Sequence, residues 1–171
     1  RNDLNEIRKK MALLFQGSAL FDSMNIYQNV AFPLMEHLKL SEEEVFEEVD
    51  ARLRLVGLKD VFHKMPPELS GGMKKRAALA RAIILNPKYI IYDEPTTGLD
   101  PLISSDIIDL IISLHRKYQN TVVIITHDLN CIARTAEHMI VIGDGIIKCE
   151  GDYDTFLKSE DPYCKQFIPN Y

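Results

Sequence analysis

Two short apolar runs separated by an amphipathic segment constrain the fold more than any other feature of this sequence. Residues 89–92 and 121–125 have the length and the β-branched or aromatic content of buried strands. Residues 103–118, which lie between them, carry apolar side chains at helical spacing. This strand–helix–strand order predicts an α/β fold with parallel strands, and the continuous β-branched run at 121–125 predicts burial on both faces of the sheet.

Other segments extend this prediction along the chain. An apolar run at 11–15 predicts a further strand, and Ser41 followed by three glutamates predicts the capped start of a helix over 45–56. Residues 128–136 predict a helix, and a Gly-Asp-Gly turn predicts a hairpin over 139–149. The single domain over 1–171 divides into a mainly helical insert (18–86), an α/β core (1–17 and 87–150) and a C-terminal tail with an aromatic-rich end (151–171).

Composition excludes several classes of protein. A net charge of −5 over 171 residues gives no support for a nucleic-acid binder, whose footprint would be a basic patch. No apolar run approaches membrane-spanning length. The three cysteines, Cys131, Cys149 and Cys164, contain no Cys-x-x-Cys pair, which argues against a disulfide framework or a zinc site and favours a reducing compartment.

Ser70, Gly71 and Gly72 stand directly before a strongly helix-forming run. Ser70 can cap that helix, and the glycines allow a ligand to approach the backbone closely. A helix N-terminus offers free N–H groups and the positive end of a dipole, so it can hold a phosphate. By itself, a serine and two glycines before a helix are more often an ordinary cap and turn.

The motifs after this one come in a defined order. Asp-Glu-Pro ends the first apolar strand at 93–95, Gly-Leu-Asp-Pro follows at 98–101, and Thr-His-Asp at 126–128 follows the second strand. Together with 69–72, this ordered set resembles the nucleotide-binding domain of ATP-binding-cassette (ABC) ATPases, as its signature motif, Walker B strand, D-loop and switch histidine. The resemblance implies a P-loop NTPase (RecA-like) fold with a helical subdomain, and the cofactors ATP and Mg²⁺.

The resemblance also implies roles for three residues of the chain. Hydrolysis of a γ-phosphate requires charge neutralisation, a positioned water and a base. Asp93 would bind magnesium through a water, and Glu94 would be the general base that polarises the attacking water. Gln16 takes the place of the Q-loop glutamine, which reaches the magnesium and that water. The alternatives are a surface acid pair with a helix cap for 93–94, and an ordinary polar residue at a strand end for Gln16.

Further implied roles concern a composite site between two copies. His127 would hydrogen-bond the γ-phosphate and hold the glutamate and water in line. Ser70, Gly71 and Gly72 would contact the γ-phosphate held by the other subunit, and Asp100 would cross the dimer interface. Two copies would therefore sandwich two ATP molecules.

The phosphate-wrapping loop Gly-x-x-x-x-Gly-Lys-Ser/Thr is absent from the 171 residues. We expect the sequence to begin downstream of that loop, so that the fold is N-terminally truncated. The chain alone should then bind ATP poorly and turn none of it over.

A closer resemblance points to the ATPases of bacterial Mce-associated, lipid-asymmetry phospholipid transport systems. It rests on Gly71-Gly72-Met73 with residues 76–82, and on residues 15–21 with 29–34. The ABC signature usually has glutamine at position 73, and Met73 leaves the serine and backbone N–H groups intact.

The family resemblance implies a membrane partner as well as a second copy. In ABC proteins the region between Gly17 and Val30 receives a coupling helix from the integral membrane permease, and an apolar patch with polar edges suits such a surface. The alternative is that these apolar side chains pack inside a helical subdomain: Leu20, Phe21, Ile26 and Val30.

We therefore expect a peripheral ATPase subunit at the cytoplasmic face of the inner membrane, which powers transport of phospholipid or another hydrophobic cargo. The alternative is a non-transport ABC ATPase that acts on DNA or ribosomes. A long coiled-coil insert or a second cassette would be typical of that class, and the visible insert is short.

Overall fold

The computed structural model describes residues 2–166, so the end of the predicted aromatic-rich tail, 167–171, lies outside the described residues. The chain divides into two compact units, Arg1–Ile125 and Thr126–Tyr171. The first unit contains α1 (Asn2–Lys10), β1 (Met11–Leu14), α2 (Ile26–His37), α3 (Glu42–Leu55), a 3-10 turn (Pro66–Glu68), α4 (Gly71–Ile83), β2 (Tyr89–Asp93), α5 (Pro101–Tyr118) and β3 (Thr121–Ile125). The second contains α6 (Leu129–Thr135), β4 (Met139–Gly143), β5 (Ile146–Gly151), α7 (Tyr153–Lys158) and α8 (Pro162–Lys165).

The first unit is built on a three-stranded parallel sheet in the order β1-β2-β3. Leu14 pairs with Tyr92 and Tyr92 with Ile124, so these side chains share one face of the sheet. That face belongs to a core cluster that also contains buried residues of α4 and α5. The predicted α/β order and parallel pairing are therefore confirmed.

The prediction that residues 121–125 are buried on both faces is wrong. Val122 and Ile124 pack against the core, whereas Val123 is 52% exposed and Ile125 is 53% exposed. Within residues 2–166, the core packs against one face of β3. A run of β-branched residues favours a strand but does not show how many faces of that strand other elements cover.

Three helices, α2, α3 and α4, lie between β1 and β2 in the sequence and pack against one another. Asn25 and Ser41 begin α2 and α3 with capping boxes, which satisfy the free N–H groups of the first turn. The Ser41 cap starts α3 three residues before the predicted 45–56. Fully buried side chains at helical spacing join these helices: Ile26, Val30, Val49, Leu53, Ala77 and Ala80. The helical content of 18–86 is confirmed, and the division into subdomain and core stays a prediction.

The second unit is a hairpin followed by two short helices. Asp144 and Gly145 both adopt positive φ, 53° and 76°, and Gly143 pairs with Ile146 in the register. Two left-handed residues form the turn that matches the twist of antiparallel strands, which confirms the predicted hairpin. The last helix, α8, begins at Pro162, because Asp161 caps the helix and proline suits its first position.

Cys149 and Cys164 form a disulfide in the second unit, and the buried Cys131 takes no part in a disulfide. The argument against a disulfide is therefore wrong for this pair. A Cys-x-x-Cys search detects close spacing in sequence, but here packing of α8 on β5 brings two cysteines 15 residues apart to a Cα–Cα distance of 6.0 Å.

A bilayer-spanning helix would need both length and apolarity, and none of the helices in residues 2–166 combines the two.

Candidate functional site

The carboxyl edge of the sheet brings two predicted site residues together. Gln16 follows β1 and Glu94 follows β2, and these neighbouring strands run parallel, so both residues leave the sheet at the same edge. The ammonium group of Lys75 donates hydrogen bonds to the backbone carbonyl oxygens of Gln16 and Glu94. One side chain of α4 thus contacts the backbone of both segments.

Glu94 is held in an unusual conformation at this edge. Its φ is +47°, in the left-handed region, and its backbone N–H donates to the Ile125 carbonyl oxygen at 2.9 Å. The Thr97 hydroxyl donates to Glu94 Oε2 at 2.8 Å, so the carboxylate is oriented from its own turn. Left-handed backbone at a residue other than glycine is sparsely populated and concentrates at functional sites. Glu94 therefore has the restraint that a positioned base requires.

Asp93 is the last residue of β2 and is half-buried. Burial of the Lys75 ammonium lowers its pKa from the ordinary value, and the negative charges of Asp93 and Glu94 oppose part of that shift. The edge therefore combines two carboxylates with a buried cation. The Asp93 carboxylate and the Gln16 side-chain amide offer the oxygen ligands that Mg²⁺ prefers.

The predicted signature residues begin α4. Ser70 caps this helix, and its hydroxyl accepts from the Met73 backbone N–H at 3.3 Å, as the cap interpretation expects. A Cβ on Gly72 would lie 2.7 Å from Ile103 Cγ2, and one on Gly71 would lie 3.2 Å from Leu99 Cδ2. Close packing against the start of α5 is therefore a second reason for glycine here, beside the predicted phosphate contact.

Asp100 caps α5 from the neighbouring loop. Its carboxylate accepts from the backbone N–H groups of Leu102 and Ile103 at 3.1 and 3.0 Å. Because Ile103 also packs against Gly72, the predicted signature and D-loop segments adjoin within one copy of the chain. Their contacts with a second copy stay a prediction.

The segment after Gln16 is anchored from two helices. Arg81 of α4 donates to the carbonyl oxygens of Ser18 and Ala19, at 3.1 and 2.8 Å. Asn29 of α2 is fully buried, and its side chain accepts from the Phe21 N–H at 2.8 Å while donating to the Phe21 carbonyl at 3.0 Å. Backbone that lacks regular secondary structure thus receives its hydrogen bonds from the buried Asn29 and the half-buried Arg81.

The two interpretations of residues 17–30 apply to different side chains. Ile26 and Val30 are fully buried and Leu20 packs partly against the core, so these residues support the packing alternative. Phe21 is 41% exposed and meets Phe32, 37% exposed, in an edge-to-face pair with ring centroids 5.2 Å apart. The docking role of this region stays a prediction that now rests on the two exposed phenylalanines.

His127 belongs to the second unit and is exposed. It lies between Thr126, whose hydroxyl accepts from the Asp128 N–H at 3.0 Å, and Asp128, which caps α6. The sequence predicted this loop between a strand and a helix correctly. Its catalytic role stays a prediction.

Sequence reasoning missed Lys75, Arg81, Asn29 and Thr97 as residues that organise the site. A signal for Lys75 exists, because it falls on the same stripe of α4 as Leu79 and Ile83, at i, i+4 and i+8. A lysine on an apolar stripe needs hydrogen-bond partners once it is buried, and it is 4% exposed here.

The residues present fit part of an ATP–magnesium site. The oxygen donors at Gln16 and Asp93 suit the metal, whereas the 171 residues contain no phosphate-wrapping Gly-x-x-x-x-Gly-Lys-Ser/Thr. A groove of about 300 Å³ between α2, α3 and the end of α4 is lined by Leu34, Leu38, Glu44, Glu48 and Ile84 among others, and includes none of the predicted site residues.

The profile of the ABC transporter family matches residues 1–97 of the chain. A protein of Mycobacterium leprae, named probable ribonucleotide transport ATP-binding protein mkl, is 41% identical over 97% of this chain and 48% of its own length. The intermembrane phospholipid transport system ATP-binding protein MlaF of Haemophilus influenzae is 41% identical over 97% of this chain and 63% of its own length. The chain thus spans about half to two thirds of the curated relatives it matches.

Solved structures show the same fold. The ATP-binding cassette MJ0796, as a dimer in a post-hydrolysis state bound to ADP and Pi, has a TM-score of 0.79 and 32% identity, covering 88% of this chain and 66% of that one. The cbiO1 protein of Clostridium perfringens, part of the transporter complex cbiONQ, has a TM-score of 0.81 and 31% identity, covering 92% and 63%.

Proposed function

Because this chain belongs to the ABC transporter family of ATP-binding domains, we propose that the protein containing it hydrolyses ATP to power a bacterial membrane transporter. The arrangement of Glu94 is the observation that carries the proposal. Its carboxylate accepts from Thr97 at the sheet edge where Gln16 also lies, and Lys75 bonds the backbone of both segments. An oriented carboxylate beside a second carboxylate and an amide is the donor set that water activation next to a metal requires.

Each site residue then has a defined task. Asp93, through a water, and Gln16 would hold Mg²⁺, which would neutralise phosphate charge when it is bound, and Gln16 would also reach the attacking water. Glu94 accepts a proton from the attacking water onto its carboxylate, and the Thr97 hydroxyl fixes the orientation of that carboxylate. His127 donates a hydrogen bond to the γ-phosphate.

A second copy completes the site in this proposal. Ser70, Gly71 and Gly72 present the N-terminus of α4 to the γ-phosphate held by the other copy, and Asp100 contacts that copy across the interface. The ATP-binding cassette MJ0796 is described as dimeric in two solved structures, which supports this arrangement. The 171-residue chain by itself is expected to hydrolyse no ATP.

The cargo is proposed to be phospholipid or another hydrophobic molecule. Relatives named MlaF, from Haemophilus influenzae and Escherichia coli, belong to an intermembrane phospholipid transport system, which favours this cargo. Their names describe transport and do not favour the alternative of an ATPase acting on DNA or ribosomes. We place the protein at the cytoplasmic face of the inner membrane, with a permease docked near the exposed ring of Phe21.

ATP turnover by the complete natural protein tests the catalytic part. Glu94→Gln removes the proton acceptor but keeps the shape, so turnover should fall at least about 100-fold while ATP binding persists and dimers accumulate. Glu137→Gln, at an exposed position of the second unit, is the matched control and should leave turnover unchanged. Normal turnover in Glu94→Gln would remove this residue from the role of base.

Affinity capture of the complete protein from gently solubilised membranes tests the transport part. An integral membrane permease with a lipid-binding subunit, identified by mass spectrometry, would support the proposed cargo. A permease with another type of subunit would support ATP-driven transport but contradict the lipid cargo. Ribosomes or DNA-bound proteins without a membrane partner would contradict transport altogether.

A further inference from the structure

We propose that Lys75 is a positioning residue for ATP hydrolysis, which holds the backbone at Gln16 and the backbone at Glu94 in a fixed position relative to each other. The inference rests on the proposed function, because it assigns the two segments to magnesium binding and water activation. The Lys75 ammonium donates to the carbonyl oxygens of Gln16 and, at 3.0 Å, of Glu94. These residues are 78 positions apart in the sequence and contribute to the same predicted reaction.

The chemistry of lysine suits this task. The side chain reaches from the apolar stripe of α4 and ends in three donors, two of which the carbonyl oxygens occupy. Hydrogen bonds that involve an ionised group are roughly twice as strong as neutral ones, so the contact restrains both segments firmly. Burying an ammonium is unfavourable unless it is hydrogen-bonded, and Lys75 is 4% exposed.

The position of the contacts separates Lys75 from a residue that only stabilises the fold. Glu94 combines a left-handed φ with a carboxylate bonded to Thr97, so its backbone sets the direction of the side chain. Gln16 lies in a turn, so a contact that holds its carbonyl also restrains the short segment that carries its side chain. Loss of the ammonium would free both backbones, and a displacement of about 1 Å at reacting groups can cost roughly 100-fold in rate.

Steady-state ATP hydrolysis by the complete natural protein tests the inference with two variants and a control. Lys75→Met keeps the length and apolar stem but removes the donors, and Lys75→Arg keeps a cation with donors. Lys88→Met makes the matched change at an exposed lysine beside the opposite end of β2. All proteins are compared at equal folded fraction, measured by circular dichroism.

We expect kcat of Lys75→Met to fall about tenfold or more, with the KM for ATP changed less than about twofold, because no nucleotide contact is removed. Lys75→Arg should recover a substantial part of kcat, and Lys88→Met should match the natural protein. If Lys75→Met does not fold, Lys75→Gln keeps a shorter donor and is expected to show the same selective loss of kcat.

Three results would overturn the positioning role. The first is an unchanged kcat in Lys75→Met, and the second is a raised KM for ATP in that variant with kcat unaffected. The third is a loss of kcat in Lys75→Met that Lys75→Arg does not recover at equal folded fraction. A natural protein that hydrolyses no ATP would instead contradict the proposed function, whereas an active natural protein with a normal Lys75→Met variant would contradict this inference alone.

Discussion

The guanidinium of Arg81 donates to the backbone carbonyl of Ala19 at 2.8 Å and thereby ties α4 to the segment that follows Gln16. The same group donates to the Ser18 carbonyl at 3.1 Å and lies 5.3 Å from the centre of the Phe21 ring. Ser18 and Ala19 both have positive φ, 67° and 46°. A left-handed pair of residues without glycine is unfavourable, so the surrounding contacts must hold it in place.

Arg81→Met should therefore lower the free energy of unfolding by about 2 kcal/mol, since hydrogen bonds to a charged group are lost and the carbonyl oxygen of the buried Ser18 is left unsatisfied. Urea denaturation followed by circular dichroism measures the change. Arg116→Met, at an exposed position near the end of α5, is the control and should change stability by less than about 0.5 kcal/mol. A similarly small effect of Arg81→Met would show that the turn is stable without its anchor.

Gly72→Ala should destabilise the first unit by overpacking, since the added Cβ would lie 2.7 Å from Ile103 Cγ2. We expect a loss of about 1–2 kcal/mol, because overpacking costs about 1–3 kcal/mol and alanine is the better helix former. Ile103→Ala removes the opposing methyl group, so the double variant should lose less stability than the sum of the two single variants. A double-mutant cycle by urea denaturation measures this coupling, and additive effects would contradict the packing explanation.

The parts of the fold that depend on neighbouring residues could be predicted from the sequence. Ser41 with Glu44 determines the start of α3 through a capping box, and Asp144-Gly145 determines the hairpin turn, because both act within four residues. The parallel strands followed from the alternation of strands and helices. Local chemistry and periodicity are sufficient for these elements.

Features that depend on tertiary packing could not be predicted in the same way. The exposed face of β3 at Val123 reflects which face the core covers, which an apolar run does not encode. The pairing of Cys149 with Cys164 follows from the packing of α8 on β5. Lys75 shows an intermediate case, since its place on the apolar stripe indicates burial but not which carbonyl oxygens it contacts.

The Cys149–Cys164 disulfide should be detectable in the protein purified without a reductant. Peptide mapping by mass spectrometry without reduction is expected to show these residues cross-linked and Cys131 alkylated only after denaturation, because its thiol is buried and lies outside the disulfide. Alkylation of Cys149 and Cys164 without prior reduction would contradict the pairing.

Reduction should also destabilise the second unit, by about 3 kcal/mol for a bridge that closes a 15-residue loop. Urea denaturation with and without dithiothreitol measures the difference. Cys149→Ser is the control, since a variant that cannot form the bridge should respond to the reductant by less than about 0.5 kcal/mol. An equal response in both proteins would assign the effect to another group.

Tyr92 should make the first unit less stable in alkaline solution. The side chain is 1% exposed in the middle of the sheet, and burial raises the pKa of its phenol well above the ordinary value of 10.0. Above pH 10 the unfolded chain therefore loses a proton that the folded chain keeps, so the free energy of unfolding decreases as pH rises, by about 1.4 kcal/mol per pH unit at most. Below pH 10 both states keep the proton, and the contribution is constant.

Tyr92→Phe isolates this contribution, because the variant keeps the ring and removes the titrating hydroxyl. Urea denaturation between pH 8 and pH 11 gives the free energy of unfolding of the natural protein minus that of the variant. This difference should stay level to about pH 10 and then decrease, because only the natural protein loses stability through Tyr92. The other tyrosines and lysines titrate in both proteins and cancel in the difference. A difference that stays level to pH 11 would mean that Tyr92 ionises in the folded sheet, and hence that the face of β2 opposite Asp93 is open to water.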